Sequence, residues 1–140
     1  MTIHISYTDE SIPECVDLIV SDVSFISLYK VIIPNIRFLK EEGEVVMLFK
    51  PQFELPASDL GRNGTPLHKD SVIDKIEELV IELQKVGLYV CGISRSPIKG
   101  NSGNVEYLLF GKREKEQVLE MAEIVNCVLD EERIEEADEK

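Results

Sequence analysis

Three residues stand where the sequence could do chemistry: Asp22, Lys50 and Glu106. Asp22 closes the apolar run at 16–20. Lys50 ends EVVMLF (44–49) and precedes Pro51, whose missing N–H forbids continuing a β-ladder. Glu106 sits inside the apolar stretch NVEYLLF (104–110), where an unpaired charge would be strongly destabilising, so it needs a partner and Lys50 is the obvious one. An amine between two carboxylates supports two readings. One is a structural ion-pair cluster that fixes strand register. The other is an amine that contacts a hydroxyl and assists its deprotonation during group transfer. The second reading requires the amine to release its proton transiently, and the flanking carboxylates, which favour the charged form, oppose that.

The elements that must position these residues follow from hydrophobic period. The run at 16–20, rich in β-branched residues, predicts a strand buried on both faces. Phe25, Ile26, Leu28, Ile32, Ile33, Ile36 and Leu39 recur at helical spacing, with Ser24 or Ser27 as N-cap, Gly43 beyond the end and Pro34 as a kink. A second strand over 44–49 leads into a long loop at 51–68 with three prolines, of the kind that is more often functional than idle. Val72, Ile73, Ile76, Leu79, Val80, Leu83 and Val86 form an amphipathic stripe, opened by a capping-box-like Ser71-x-x-Asp74 and closed by Gly87. Strands over 88–93 and 104–110 flank a turn-rich loop at 94–103. A last stripe runs through Val118, Met121, Ala122, Val125, Val128 and Leu129, and EERIEEADEK after it should fray. Strands alternating with helices predict an α/β fold with a largely parallel sheet and one late antiparallel strand. In such sheets ligands sit beyond the carboxyl ends of the strands, where Asp22 and Lys50 would share one rim.

At 140 residues, 44% hydrophobic and 30% charged, the chain has the composition of one domain. No apolar run reaches the roughly 18–20 residues of a membrane span, and no basic-then-apolar leader opens the sequence, so a cytoplasmic protein is expected. Cys15, Cys91 and Cys127 lie far apart and read as small core hydrophobes rather than a disulfide or zinc set. His4 and His68 are isolated and are expected to be ordinary surface or loop residues, not metal ligands. The net charge of −12 argues against polyanion binding, although residues 113–140 alone hold eleven acids against four bases. Arg95 and Lys99 could touch a nucleic-acid backbone or simply be solvated, and Asn104 is expected to satisfy a turn.

The segments DLIVSDVSFISL (17–28), GEVVMLFKPQFE (43–54) and SPIKGNSGNVEYLL (96–109) resemble, in this order, the TlyA or hemolysin A family of FtsJ-like ribose methyltransferases. The resemblance spans roughly 1–112, which would be the C-terminal half of the methyltransferase domain, with 113–140 an acidic amphipathic helix and tail. It implies a Rossmann-like fold, S-adenosylmethionine as methyl donor and a ribose 2′-hydroxyl of ribosomal RNA as acceptor. The family carries a Lys-Asp-Lys-Glu tetrad, onto which Asp22, Lys50 and Glu106 map as the Asp, second Lys and Glu. Lys50 would then hold or help deprotonate the 2′-hydroxyl, and the two acids would orient the amine. The family's first Lys, glycine-rich turn and acidic strand end have no counterpart in this sequence, so cofactor-binding residues are not assigned, and the isolated chain is expected to be inactive. The alternative is a non-catalytic association module. A sheet deprived of its first half would expose an apolar edge along 17–22, to be covered by residues 2–7, by a second copy or by a polypeptide carrying the missing half.

Overall fold

The structure is a computed structural model that describes residues 2–5, 16–23, 26–99, 103–115 and 118–129, the first four as backbone only. Five strands form one sheet: β1 (Thr2–Ile5), β2 (Val16–Ser21), β3 (Leu39–Phe49), β4 (Tyr89–Arg95) and β5 (Tyr107–Lys112), in the order β1-β2-β3-β5-β4. β1, β2 and β3 pair in parallel, and β5 lies antiparallel between β3 and β4. The expected α/β architecture with a late antiparallel strand is therefore present. Of the three ways to cover the edge of β2, the structure shows the first: Thr2–Ile5 pairs along Leu18–Ser21.

Helices α1 (Leu28–Asn35), α3 (Lys69–Lys85) and α4 (Met121–Leu129) pack side by side, α3 in the middle, and α2 is the single turn Pro51–Glu54. Along β3 every second residue, Val45, Met47 and Phe49, is fully buried, while Val46 and Leu48 are only half-buried. Their cross-strand partners Gly111, Leu109 and Tyr107 are buried with them. This is the period-2 signature of a sheet with a dominant core face. Ile76 and Leu83 of α3, Leu28 and Ile32 of α1 and Ile124 and Val128 of α4 complete that core.

Several boundaries differ from the sequence reading. The first helix does not run on to Gly43: Pro34 sits in its last turn, a 3-10 turn over Ile36–Phe38 follows, and Leu39 already has the extended backbone that opens β3. Gly43 lies inside β3, where a Cβ would sit 2.5 Å from Leu39 Cδ1 and 2.9 Å from the Lys40 carbonyl oxygen, so its role is close packing. Of the two candidate caps, Ser27 is the one seen, accepting from Tyr29 N–H at 3.3 Å. Ser24 and Phe25 lie outside the described residues, as do Cys15 and the segment after Leu129.

Helix α3 starts two residues before the supposed capping box. His68 is its N-cap without a side-chain bond, Ser71 is already helical, and Val86 caps the other end exposed rather than joining the stripe. Gly87, at φ +88°, ends the helix in the left-handed region as expected. In α4 the phase differs. Met121 and Leu129 face outward and Ile124 faces inward, because the helix begins only after Leu119, an extended residue whose N–H donates to the Val90 carbonyl at 2.7 Å. β5 starts at Tyr107, so Glu106 precedes the strand rather than lying within it.

Candidate functional site

Asp22 and Lys50 are brought together as the strand ends required. Parallel pairing of β2 and β3 sets Ser21 opposite Met47, so both chains leave the sheet on the same rim. Lys50 keeps an extended backbone, and Pro51 then opens α2, a first helical position where its missing N–H costs nothing. The Lys50 carbonyl accepts from the N–H groups of Phe53 and Glu54, at 2.9 and 3.2 Å, which turns the chain sharply after the lysine. Lys50 Nζ meets Asp22 Oδ1 at 2.5 Å; the lysine side chain is 13% exposed and the aspartate 47%. The same ammonium lies 6.0 Å from the centroid of the Phe53 ring, at the outer limit for a cation–π contact. The amine is thus fixed from two sides, by a half-solvated carboxylate and an aromatic face.

Glu106 is buried, 6% exposed, and accepts a hydrogen bond from Gln52 Nε2 at 2.8 Å. The partner seen for this carboxylate is therefore a neutral amide two residues beyond Lys50, where the sequence reading had named the lysine itself. Gln52 belongs to the turn that Lys50 opens. The amide donor fixes the position of the carboxyl group through one hydrogen bond. Gln52 Oε1 and Ser21 Oγ are buried at this rim and have no hydrogen-bond partner among the described residues.

Sequence reasoning also missed Glu54. Its carboxylate accepts from Leu28 N–H at 2.7 Å and from the Ser27 hydroxyl at 3.0 Å, tying the turn after Lys50 to the start of α1. Burial pushes its pKa above the usual 4.5, against the lowering effects of the Leu28 and Ser27 hydrogen bonds and of Lys75. In KPQFE the residues Lys50, Gln52 and Glu54 alternate after a buried strand, but nothing in that segment shows that Glu54 pairs with Leu28 and Ser27. Asn104, expected to satisfy a turn in its own segment, instead donates from Nδ2 to the Gly64 carbonyl at 3.4 Å, 40 residues away, joining the two long loops. His68 and Lys99 are exposed, and Arg95 ends β4.

Among the described residues, no group of three or more His, Cys, Asp or Glu side chains could hold a metal, and no helix is long and apolar enough to cross a membrane. Nor do these residues fit an adenosyl cofactor. Gly64 adjoins the turn after Lys50, its Cβ position meeting only Gln52 Cβ at 3.8 Å, while Gly87 and Gly103 meet nothing within 4 Å, after α3 and before β5; among the described residues one isolated glycine, not a glycine-rich turn, stands beside the lysine turn.

A largely parallel sheet with one antiparallel strand near its end and helices packed alongside defines a Rossmann-like α/β protein, with a lysine–aspartate pair at its carboxyl rim. The profile of the FtsJ-like methyltransferase family matches residues 3–113, and the chain belongs to that family. It is 33% identical over 112 residues to the 16S/23S rRNA (cytidine-2'-O)-methyltransferase TlyA of Mycobacterium tuberculosis, an alignment covering 80% of this chain and 42% of that protein. The crystal structure of a Lactococcus lactis protein described as a hemolysin superposes with a TM-score of 0.76 at 31% identity, covering 86% of this chain and 58% of the other. A similarly described protein of Streptococcus thermophilus gives 0.81 at 28% identity, covering 94% and 48%. The chain therefore spans about two fifths of the length of the curated relative it matches.

Proposed function

We propose that this chain carries the hydroxyl-orienting part of an RNA ribose 2′-O-methyltransferase that acts on ribosomal RNA in the cytoplasm, with S-adenosylmethionine as the methyl donor. The observation that carries the reading is the Lys50–Asp22 pair, anchored directly after the fully buried Phe49 at the end of β3 and backed by the Gln52–Glu106 hydrogen bond. Lys50 contacts the 2′-hydroxyl oxygen, and Asp22 and the Phe53 ring keep the amine from swinging into solvent. Glu106, held by Gln52, braces the same turn. The sulfonium donor carries an already activated methyl group, so alignment of the hydroxyl is the main task left to these side chains. Asp22, Lys50 and Glu106 are the proposed catalytic residues.

The test is transfer of a radiolabelled methyl group to ribosomal RNA, with the donor-binding half supplied as a second polypeptide because its cradle is not among the described residues. Replacing Lys50 by Gln is expected to slow transfer by roughly 10²–10⁴, the range for loss of a positioned proton-transfer group. Replacing Lys85, which ends α3 and pairs with Glu82, is expected to change nothing. Equal rates for the two variants would refute the assignment. Calorimetric titration of the donor into this chain alone is expected to show no binding.

A further inference from the structure

We propose that the sheet face turned away from the helices is a self-association surface, on which a second copy of this chain packs with its β3 antiparallel to the first across a two-fold axis. Val45, Met47 and Phe49 of β3 point into the core, against which α1, α3 and α4 all bury their apolar residues. The alternate residues Val46 and Leu48 therefore project from the other face. They stand in register there with Val20 of β2 and with Phe110 and Leu108 of β5, and all five are half-buried. Phe110 also covers Gly92 of β4, where a Cβ would sit 3.4 Å from Phe110 Cδ2, so the glycine lets the ring lie close to the sheet. The result is one apolar platform across four strands. Parallel strands such as β2 and β3 are normally covered on both faces, and this face asks for a cover.

The alternation along β3 selects the occupant. On this face the strand and the residue after it read Glu44, Val46, Leu48, Lys50: an acid, two apolar residues and a base. An antiparallel copy laid over them sets Glu44 against Lys50 at both ends and Val46 against Leu48 between. That is the self-complementarity an isologous interface requires. The charges bordering the platform are balanced within each copy, Glu44 with Lys112 at 3.7 Å and Asp22 with Lys50. A chain of net charge −12 can approach itself on such a neutral face. The apolar surface around Ile81 on α3 offers no such approach, since Asp74, Glu77, Glu78 and Glu82 surround it.

Strand rise and spacing make the platform roughly 20 by 15 Å, well under the area of a permanent interface, so the dimer is weak and reversible. On the reading of Lys50 given above it is also a resting form, because Glu44 of the second copy stands over the amine.

Sedimentation equilibrium of the 140-residue protein, from micromolar to millimolar concentration, tests the surface and is expected to show a monomer–dimer equilibrium. Val46→Lys puts an unpaired charge into the platform and is expected to weaken dimerisation by about a hundredfold or more. Glu44→Lys changes only an exposed side chain, so it keeps the fold, and is expected to weaken dimerisation about tenfold by setting two cations together at each end. Ile81→Lys, on the exposed side of α3, is expected to leave it unchanged. Circular dichroism checks that each variant is folded, and Glu44→Lys decides the matter if Val46→Lys is not. A parent chain that stays monomeric, a Glu44→Lys variant that dimerises as tightly as the parent, or an Ile81→Lys loss equal to that of Val46→Lys would overturn the proposal. Mass is read here rather than methyl transfer, so a failure at this surface leaves the assignment of Lys50 to its own assay.

Discussion

Truncation of Glu54 exposes how the rim is held together. Its carboxylate sits 26 residues in sequence from the Leu28 N–H it accepts, and it joins the turn after Lys50 to the helix that follows Asp22. Glu54→Ala leaves the buried Leu28 N–H unpaired, at about 1–3 kcal/mol, and removes the Ser27 contact, at about 1 kcal/mol, for an expected total of about 2–4 kcal/mol. Glu54→Gln keeps an acceptor for Leu28 and offers Ser27 Oγ a donor, so at pH 7 its cost is expected to stay under about 1 kcal/mol. The pH dependence has a definite sign. Burial raises the Glu54 pKa in the folded state above 4.5, so the folded protein holds this proton more tightly than the unfolded chain does. The resulting stabilisation is complete below pH 4.5 and is lost as pH rises through the folded-state value. The wild type should therefore gain on Glu54→Gln as pH falls from 7 toward 4.5. Urea unfolding of the three proteins at several pH values measures this. A Glu54→Ala loss below about 0.5 kcal/mol, within the ordinary range for surface substitutions, would refute the clamp. A gap between wild type and Glu54→Gln that narrows on acidification would refute the electrostatic account.

Three further substitutions probe the scaffold by the same unfolding measurement. Gly43→Ala forces Leu39 and the Lys40 carbonyl to move and is expected to cost about 1–3 kcal/mol, the range for overpacking. Gly87→Ala meets no atom within 4 Å but strains a residue at φ +88°, for about 1–2 kcal/mol. Phe49→Ala opens a cavity beneath a residue with no exposed surface and is expected to cost about 3–5 kcal/mol. Because Phe49 immediately precedes Lys50, that variant should also loosen the Lys50–Asp22 pair, seen as increased mobility of the Lys50 side-chain NMR signals.

Where the sequence was legible, one physical pattern dominated a segment. The stripe of α3 marks its buried face residue for residue from Val72 to Leu83, because a 17-residue amphipathic helix gives several turns of the same message. The end of β3 at Phe49 was legible because a proline after a buried run leaves no alternative. The region 28–45 was misread because apolar residues there satisfy a helical period up to Leu39, while the chain switches to extended backbone at that residue to reach the sheet. In α4 the stripe contains enough apolar residues to support more than one phase, and the contact of Leu119 with β4 chooses among them. At the site, Asp22 and Lys50 were legible from strand ends. Gln52 and Glu54 were not, because their roles depend on partners 54 and 26 residues away.

The Lys50–Asp22 contact is a consequence of register before it is a consequence of charge. With Ser21 opposite Met47, the residue facing Asp22 is Leu48, and Lys50 stands two residues further along. That offset is roughly 6.6 Å at the rise of a strand, about what a lysine side chain spans, so the ammonium can reach back to the carboxylate. The register is set in turn by the core, since Ile19 and Ser21 on β2 and Val45, Met47 and Phe49 on β3 are all buried. A slip of one residue would carry those β3 side chains to the opposite face and Lys50 with them. An ion pair whose carboxylate is half-solvated contributes on the order of 1 kcal/mol and could not by itself enforce such an alignment. The buried sheet places the amine, and Asp22, Phe53 and the Glu54 clamp refine where it points.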